Sequence, residues 1–149
     1  MIIIGYQGIG KSTLANEKSL RCIDLESGNF WVDGKRDENW YKIYCNIAEH
    51  LSQQGYIVFT SSHEVVRKQL EYSKEKVLIC YPCLELKEYW IDKLKDRWDE
   101  SGLDKDYKAY MNALDRYEDN IKELMNSGFE QIEIIKGNYD LKQLIMKKM

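Results

Sequence analysis

Several things are scarce in this 149-residue chain, and each scarcity removes a class of protein. There is one proline, Pro82, and no Gly/Ser-rich tract, repeat or low-complexity stretch, so nothing marks a linker between domains. No apolar run approaches the ~20 residues of a membrane span, which excludes a transmembrane helix from the reading. Apolar strand begins directly after Met1, and this spacing leaves no room for a cleavable signal peptide. The expected location is therefore cytoplasmic, with no membrane partner. The cysteines at 22, 45, 80 and 83 then read as free thiols. Cys80 and Cys83 have C-x-x-C spacing, but no second pair exists to complete a zinc site.

Positive charge is also in short supply. With 22 basic against 25 acidic residues the formal net charge is −3, which makes a polymeric nucleic acid a poor partner and favours a small ligand held at a local site. Arginine occurs only at 21, 36, 67, 97 and 116. A planar guanidinium grips phosphate with two parallel hydrogen bonds, so each of these positions is a candidate ligand.

What the chain does have is one strong motif. Ile2-Ile3-Ile4 runs into Gly5-Tyr6-Gln7-Gly8-Ile9-Gly10-Lys11-Ser12-Thr13, a Gly-x-x-x-x-Gly-Lys-Ser pattern between an apolar strand and a helix-compatible stretch reaching Lys18. Glycines at 5, 8 and 10 permit positive φ and let backbone N–H groups turn inward around phosphate oxygens, Ile9 contributing its amide. Lys11 is placed to reach the β- and γ-phosphates of a nucleotide, Ser12 to ligate Mg²⁺, and Thr13 to continue a helix whose positive end faces the phosphates.

The remaining chain alternates strand and helix. Leu20–Leu25 reads as a second strand ending near Asp24, and Glu26–Asn29 as a loop. Phe30–Asn39 fits no regular element. Trp40, Ile43, Tyr44, Ile47, Ala48 and Leu51 define one apolar helix face. Tyr56–Thr60 is a third strand, delivering Ser61-Ser62-His63 to a turn before a helix from Glu64 to Tyr72. A fourth strand spans Lys76–Tyr81 and closes at Pro82. Helical stripes follow at 86–98 and 107–125, separated at Ser101-Gly102, then an edge strand over Gln131–Ile135 and a helix from Asn138. Such alternation predicts a single α/β domain over 1–149: a five-stranded parallel sheet with helices on both faces, its ligands beyond the carboxyl ends of the strands.

The segments GYQGIGKST, IDLESGNF (23–30), YIVFTSSH (56–63) and VLICYPCLELKEYWIDKLKDRW (77–98) together resemble the nucleoside monophosphate kinase branch of the P-loop proteins, and in particular small kinase-like proteins of bacteriophages and prophages. That resemblance implies a three-layer P-loop NTPase fold with strand order 2-3-1-4-5, ATP and Mg²⁺ as cosubstrates, an acceptor-binding insertion over about 27–54, and a helical lid over about 96–116. It implies transfer of the γ-phosphoryl of ATP to a nucleoside monophosphate, a deoxynucleotide in a phage setting. Asp24 matches the acid after the second strand; it would position the acceptor or the water shell of the metal, and could take a proton from a hydroxyl acceptor. Arg97, with Arg116 as a second, matches the arginines of the lid that stabilise transferring charge.

For the acceptor, Phe30 or Trp31 could stack on a base and Lys35 or Arg36 hold its phosphate, with Ser62 and Arg67 reaching the same pocket; core packing is the alternative for the aromatics. Two departures from the family pattern are plain. The third strand ends in Ser61-Ser62 instead of an acid, which leaves Asp24 to supply the carboxylate near Mg²⁺, and no Asp-Arg pair follows that strand. Competing readings are a kinase of a small metabolite or modified nucleoside, since Ser61-Ser62-His63 resembles the turn of gluconate-type kinases, and a non-catalytic nucleotide-binding regulatory module. A GTPase would need Asn-Lys-x-Asp for guanine, and the chain has none.

Overall fold

The computed structural model describes all residues from Met1 to Met149. Its centre is β1 (Ile2–Gly5), in which Ile2, Ile3 and Ile4 are each fully buried. Successive strand residues point to opposite faces, so three consecutive buried isoleucines require cover on both sides of the sheet. The sheet is five-stranded and parallel throughout, in the order β2-β5-β1-β6-β7, with β2 at Cys22–Asp24, β5 at Ile57–Thr60, β6 at Val77–Pro82 and β7 at Glu130–Ile134. The predicted α/β class and five-stranded parallel sheet with helices are thus present, built around one apolar core that spans both ends of the chain.

Pro82 belongs to β6 instead of ending it early. It sits opposite Ile134, and the N–H it lacks is skipped by the ladder, which resumes with Cys83 N–H donating to the Ile134 carbonyl at 2.8 Å. The first helix, α1 (Lys11–Ala15), is shorter than the sequence reading, which carried it to Lys18. A single turn and a half has little macrodipole to offer.

Residues 30–39, left without an element by the sequence, contain a hairpin. β3 (Trp31–Val32) and β4 (Lys35–Arg36) pair antiparallel around Asp33-Gly34, whose φ values of 51° and 76° make the two-residue turn that matches strand twist. In α2 (Trp40–Gln53) the buried stripe is Trp40, Tyr44, Ala48 and Ser52, joined by Cys45. Ile43 and Ile47, expected on that face, are 55% and 38% exposed. Each lies one residue, about 100° of helix rotation, from the buried row, and the i, i+4 row through the aromatics wins the core.

Beyond α3 (Glu64–Leu70), helices α4 (Lys87–Ser101) and α5 (Asp104–Met125) form a hairpin. Trp98 seals it, its ring 4.8 Å from Tyr107 and stacked 5.9 Å from Tyr110. The turn is tied by Ser101, whose hydroxyl donates to Asp106 at 2.5 Å and accepts from the Leu103 N–H at 3.1 Å. The short α6 (Leu141–Met146) closes the chain against the core through Leu141 and Ile145, with the Asp140 carboxylate capping its first turn. No helix is long and apolar enough to cross a membrane.

Candidate functional site

The carboxyl ends of β1, β2 and β5 converge on the loop from Gly5 to Gly10. Gly8 and Gly10 have φ of 86° and 104°, a region costly to residues with a side chain. At Gly8 the restriction is doubled, because a Cβ would stand 3.1 Å from Trp90 and 3.2 Å from Leu94. The loop is held from behind by side chains that arrive much later in sequence. Trp90 donates its indole N–H to the Gln7 carbonyl at 2.7 Å, and Tyr139 donates its hydroxyl to the Ile9 carbonyl at 2.6 Å. Ile9 itself is buried, and Ser12 and Thr13 stand exposed at the start of α1.

Lys11 turns back over this loop, its Nζ 3.3 Å from the Gly5 carbonyl. Withdrawal from water lowers its pKa, against which Asp24 and Glu26 act, while Arg97 adds to the lowering. Asp24 ends β2, half-buried. Desolvation raises its pKa; Glu26 raises it further through charge and a hydrogen bond, and Lys11 and Arg97 oppose the rise. Lys11, Asp24, Glu26 and Arg97 therefore share one electrostatic neighbourhood drawn from three separate segments.

Arg97 lies inside α4, four residues before its end. Its Nε is 3.0 Å from the carboxylate of Asp106, a side chain only 5% exposed. The ion pair aims Arg97 by anchoring it across the α4–α5 hairpin.

Tyr44 organises the other side. Fully buried, it donates its hydroxyl to the Leu25 carbonyl at 2.6 Å and accepts the Ser61 N–H at 2.8 Å, stitching the chain after β2 to the chain after β5. Tyr44→Phe is expected to cost about 1–3 kcal/mol, because a buried carbonyl and N–H lose their partner together; urea unfolding measures it. Phe30, partly buried, packs against both Tyr44 and Trp40 at the margin of the core. Trp31 remains 53% exposed, and Arg36 lies between two indoles, 4.8 Å from the Trp31 ring and 3.9 Å from the Trp40 ring. Trp40 in turn meets the His63 ring edge-on at 5.5 Å.

Next to the loop lies a cavity of about 340 Å³. Gly5, Gln7 and Lys11 form one wall, Ser61 to Glu64 with Arg67 a second, and Asn112, Asn120 and Glu123 of α5 the third. Ser62 contributes through its carbonyl, which accepts from Arg67 Nε at 3.0 Å, and the Arg67 guanidinium continues to the Glu123 carboxylate. His63 has its pKa lowered by desolvation and by the charges of Arg36 and Lys11, and its Nδ1 is 2.7 Å from the Ser61 hydroxyl.

Of the predicted residues, the structure brings together Gly5, Lys11, Ser62 and Arg67 around the cavity, with Asp24 and Arg97 adjoining Lys11 electrostatically. Asp24, Trp31, Arg36, Arg97 and Arg116 are not among the residues lining it, and Arg97 borders a separate depression with Tyr89, Lys93 and Glu100. Arg116 is exposed and marks a kink in α5, with φ −137° and ψ 19°. Sequence reasoning missed Trp90, Tyr139, Tyr44, Asn112, Asn120 and Glu123. The aromatics carried only a core signal, and carboxamides in a charged helix carried none.

Both thiols of the C-x-x-C pair are buried, and burial pushes Cys80 up to about 12, so neither offers a ready thiolate. Fold and site define an α/β chain with its polar site at the carboxyl edge of a parallel sheet. Among known proteins, the sequence matches no family model and has no significant match among curated proteins.

Proposed function

We propose that the protein is an ATP- and Mg²⁺-dependent phosphotransferase of the P-loop, nucleoside monophosphate kinase-like kind. The observation that carries this reading is the loop itself: Gly-x-x-x-x-Gly-Lys-Ser sits directly between a buried parallel strand and a helix, with Gly8 and Gly10 at positive φ and Lys11 folded back over it. Counting only strands of the main sheet, the order is 2-3-1-4-5, the arrangement that the resemblance implies.

The roles follow from placement. Backbone N–H groups of Gly8 to Ser12 hold the nucleotide phosphates, and Lys11 reaches the β- and γ-phosphates. The Ser12 hydroxyl and the Asp24 carboxylate are hard oxygen donors, few enough to suit Mg²⁺, which keeps several waters and takes phosphate oxygens as further ligands. The ion would supply charge neutralisation between the phosphates. In transfer, an acceptor oxygen bonds to the γ-phosphorus, the bond from that phosphorus to the β–γ bridging oxygen breaks, and ADP leaves. Where the acceptor is a hydroxyl, its proton passes to Asp24, whose raised pKa makes it a better base. Arg97, aimed by Asp106, adds positive charge to the spreading phosphoryl charge.

The acceptor that the resemblance implies is a nucleoside monophosphate. A second reading, a hydroxyl acceptor on a small metabolite or modified nucleoside, is favoured by one observation: Arg67, the guanidinium at the cavity, is already paired with Glu123. ADP formation from ATP, measured over a panel of nucleotides, nucleosides and sugars, tests the proposal. No acceptor-dependent turnover from any of them would leave only a binding module, and tighter binding of GTP than ATP would count against the nucleotide assigned.

Asp24→Asn separates chemistry from packing. It should lower kcat far more than it weakens ATP binding. Because Asp24 has a folded pKa above its unfolded value near 3.8, the folded state holds the extra proton. Its contribution to stability is therefore present below that value and is lost as pH rises through the raised pKa. At neutral pH the Asn variant is expected to be at least as stable as the parent, with a shallower decline above about pH 4. Unfolding midpoints between pH 4 and 8 check the sign; a variant that is less stable with unchanged kcat would make Asp24 a structural residue.

A further inference from the structure

All five arginines of the chain are accounted for, and the cavity beside the loop has none to spare. Arg21 lies over the Tyr56 ring at 4.2 Å, Arg36 is stacked between Trp31 and Trp40, Arg97 is bound to Asp106, and Arg116 is outside the lining. Arg67 does line the cavity, but its side chain is only 11% exposed, its Nε donating to the Ser62 carbonyl and its Nη2 to the Glu123 carboxylate. Lys11, the other cation there, is committed to the phosphates of the donor nucleotide. A second phosphate group entering this space would meet Glu123 and Glu64 without a free guanidinium.

What the cavity offers instead is neutral hydrogen-bonding capacity. Asn120 donates to Asn112 at 2.7 Å and approaches the Tyr6 hydroxyl at 3.5 Å. On a straight helix two residues eight apart are separated by roughly 12 Å of rise, farther than two short carboxamides span. The kink at Arg116, midway between them, makes the contact possible and turns both groups to one cavity. A carboxamide donates and accepts together, which is the pattern that a hydroxyl needs. Only two of the thirteen lining residues are hydrophobic, so there is little wall for a base to bury against. The volume of about 340 Å³ is at the small end of ligand sites, about 300–1,000 Å³.

We infer that this cavity takes the acceptor as an uncharged, hydroxyl-rich molecule of sugar or polyol size, held by Asn112 and Asn120, and that the Arg67–Glu123 pair excludes acceptors already bearing a phosphate. The inference rests on the phosphotransferase reading and selects its substrate class. Glu123 is then a specificity residue: it occupies and neutralises the Arg67 guanidinium that would otherwise attract a phosphate.

The test is binding by NMR, with no turnover needed. ¹⁵N-labelled full-length protein is titrated with ribitol, myo-inositol and D-glucose, with thymidine 5′-monophosphate, and separately with a non-hydrolysable ATP analogue. Side-chain amide signals are assigned by their loss in Asn112→Ala and Asn120→Ala. At least one neutral probe should shift those signals in the parent and bind at least five-fold more weakly to Asn120→Ala, while the monophosphate leaves them in place. Glu123→Gln, isosteric and so expected to keep the fold, should bind the monophosphate at least five-fold more tightly than the parent, with affinity for the neutral probe changed less than two-fold. The inference is overturned if the monophosphate binds the parent more tightly than every neutral probe, if no neutral probe moves the carboxamide signals, or if Glu123→Gln leaves monophosphate affinity unchanged. Failure of the phosphotransferase reading would show differently, as an ATP analogue that leaves the Gly8 and Lys11 backbone signals unmoved.

Discussion

Lys11→Ala is expected to reduce acceptor-dependent ADP formation by roughly 10²–10³-fold or more, the loss typical of removing one preorganised donor from a developing negative charge. The residue is well suited to show an effect confined to chemistry. The only hydrogen bond its side chain makes within the protein is the 3.3 Å contact with the Gly5 carbonyl, and the desolvation that lowers its pKa means that holding the cation there costs free energy in the absence of a ligand. Removing it should therefore leave the unfolding midpoint close to that of the parent. Initial rates, with circular dichroism as the check on folding, decide the matter; a variant that turns over at the parent rate would place the chemistry elsewhere.

Trp90→Ala is expected to produce the largest loss of stability, about 3–5 kcal/mol, a large part of the about 5–15 kcal/mol available to a domain. The indole is fully buried, stacks 6.1 Å from Tyr139, lies under the Lys93 ammonium at 4.5 Å, and fixes the Gln7 carbonyl through its N–H. Truncation opens a cavity directly beneath Gly8. Trp90→Phe keeps most of the apolar volume but leaves the Gln7 carbonyl without its donor, for which about 1–3 kcal/mol is expected. Urea unfolding ranks the two, and nucleotide binding to the Phe variant reads the loop separately from the core. Equal stability of both variants would mean that the hydrogen bond, not the packing, dominates.

How much of this was legible in the residues can be judged element by element. Ile2 to Thr13 could be read outright, because a strand of consecutive branched residues and a glycine-spaced loop before Lys-Ser are local patterns with local causes. Asp24 was readable by position, since it follows a short apolar run. The hairpin at 31–36 was passed over, although Asp33-Gly34 is its turn signal, because two-residue strands have no periodicity to detect. The face of α2 was misjudged at Ile43 and Ile47, since hydrophobicity alone does not say which of two adjacent apolar rows meets the sheet. Arg67 reaches the cavity as its position suggests, but its pairing with Glu123, 56 residues later, has no local signal in the residues.

From the sequence by itself came the alternation of strand and helix, the loop and its lysine, and the poverty of arginine, all properties of composition and short-range spacing. Tertiary structure alone decided which groups meet. Trp90 and Tyr139 hold the loop, Tyr44 joins the ends of two strands, Asp106 aims Arg97, and a kink at Arg116 gathers two asparagines at a cavity whose only arginine is cancelled by Glu123. The reason is physical: hydrogen bonds and ion pairs act over a few ångströms, and the packing of helices on a sheet, not sequence distance, sets which side chains come that close.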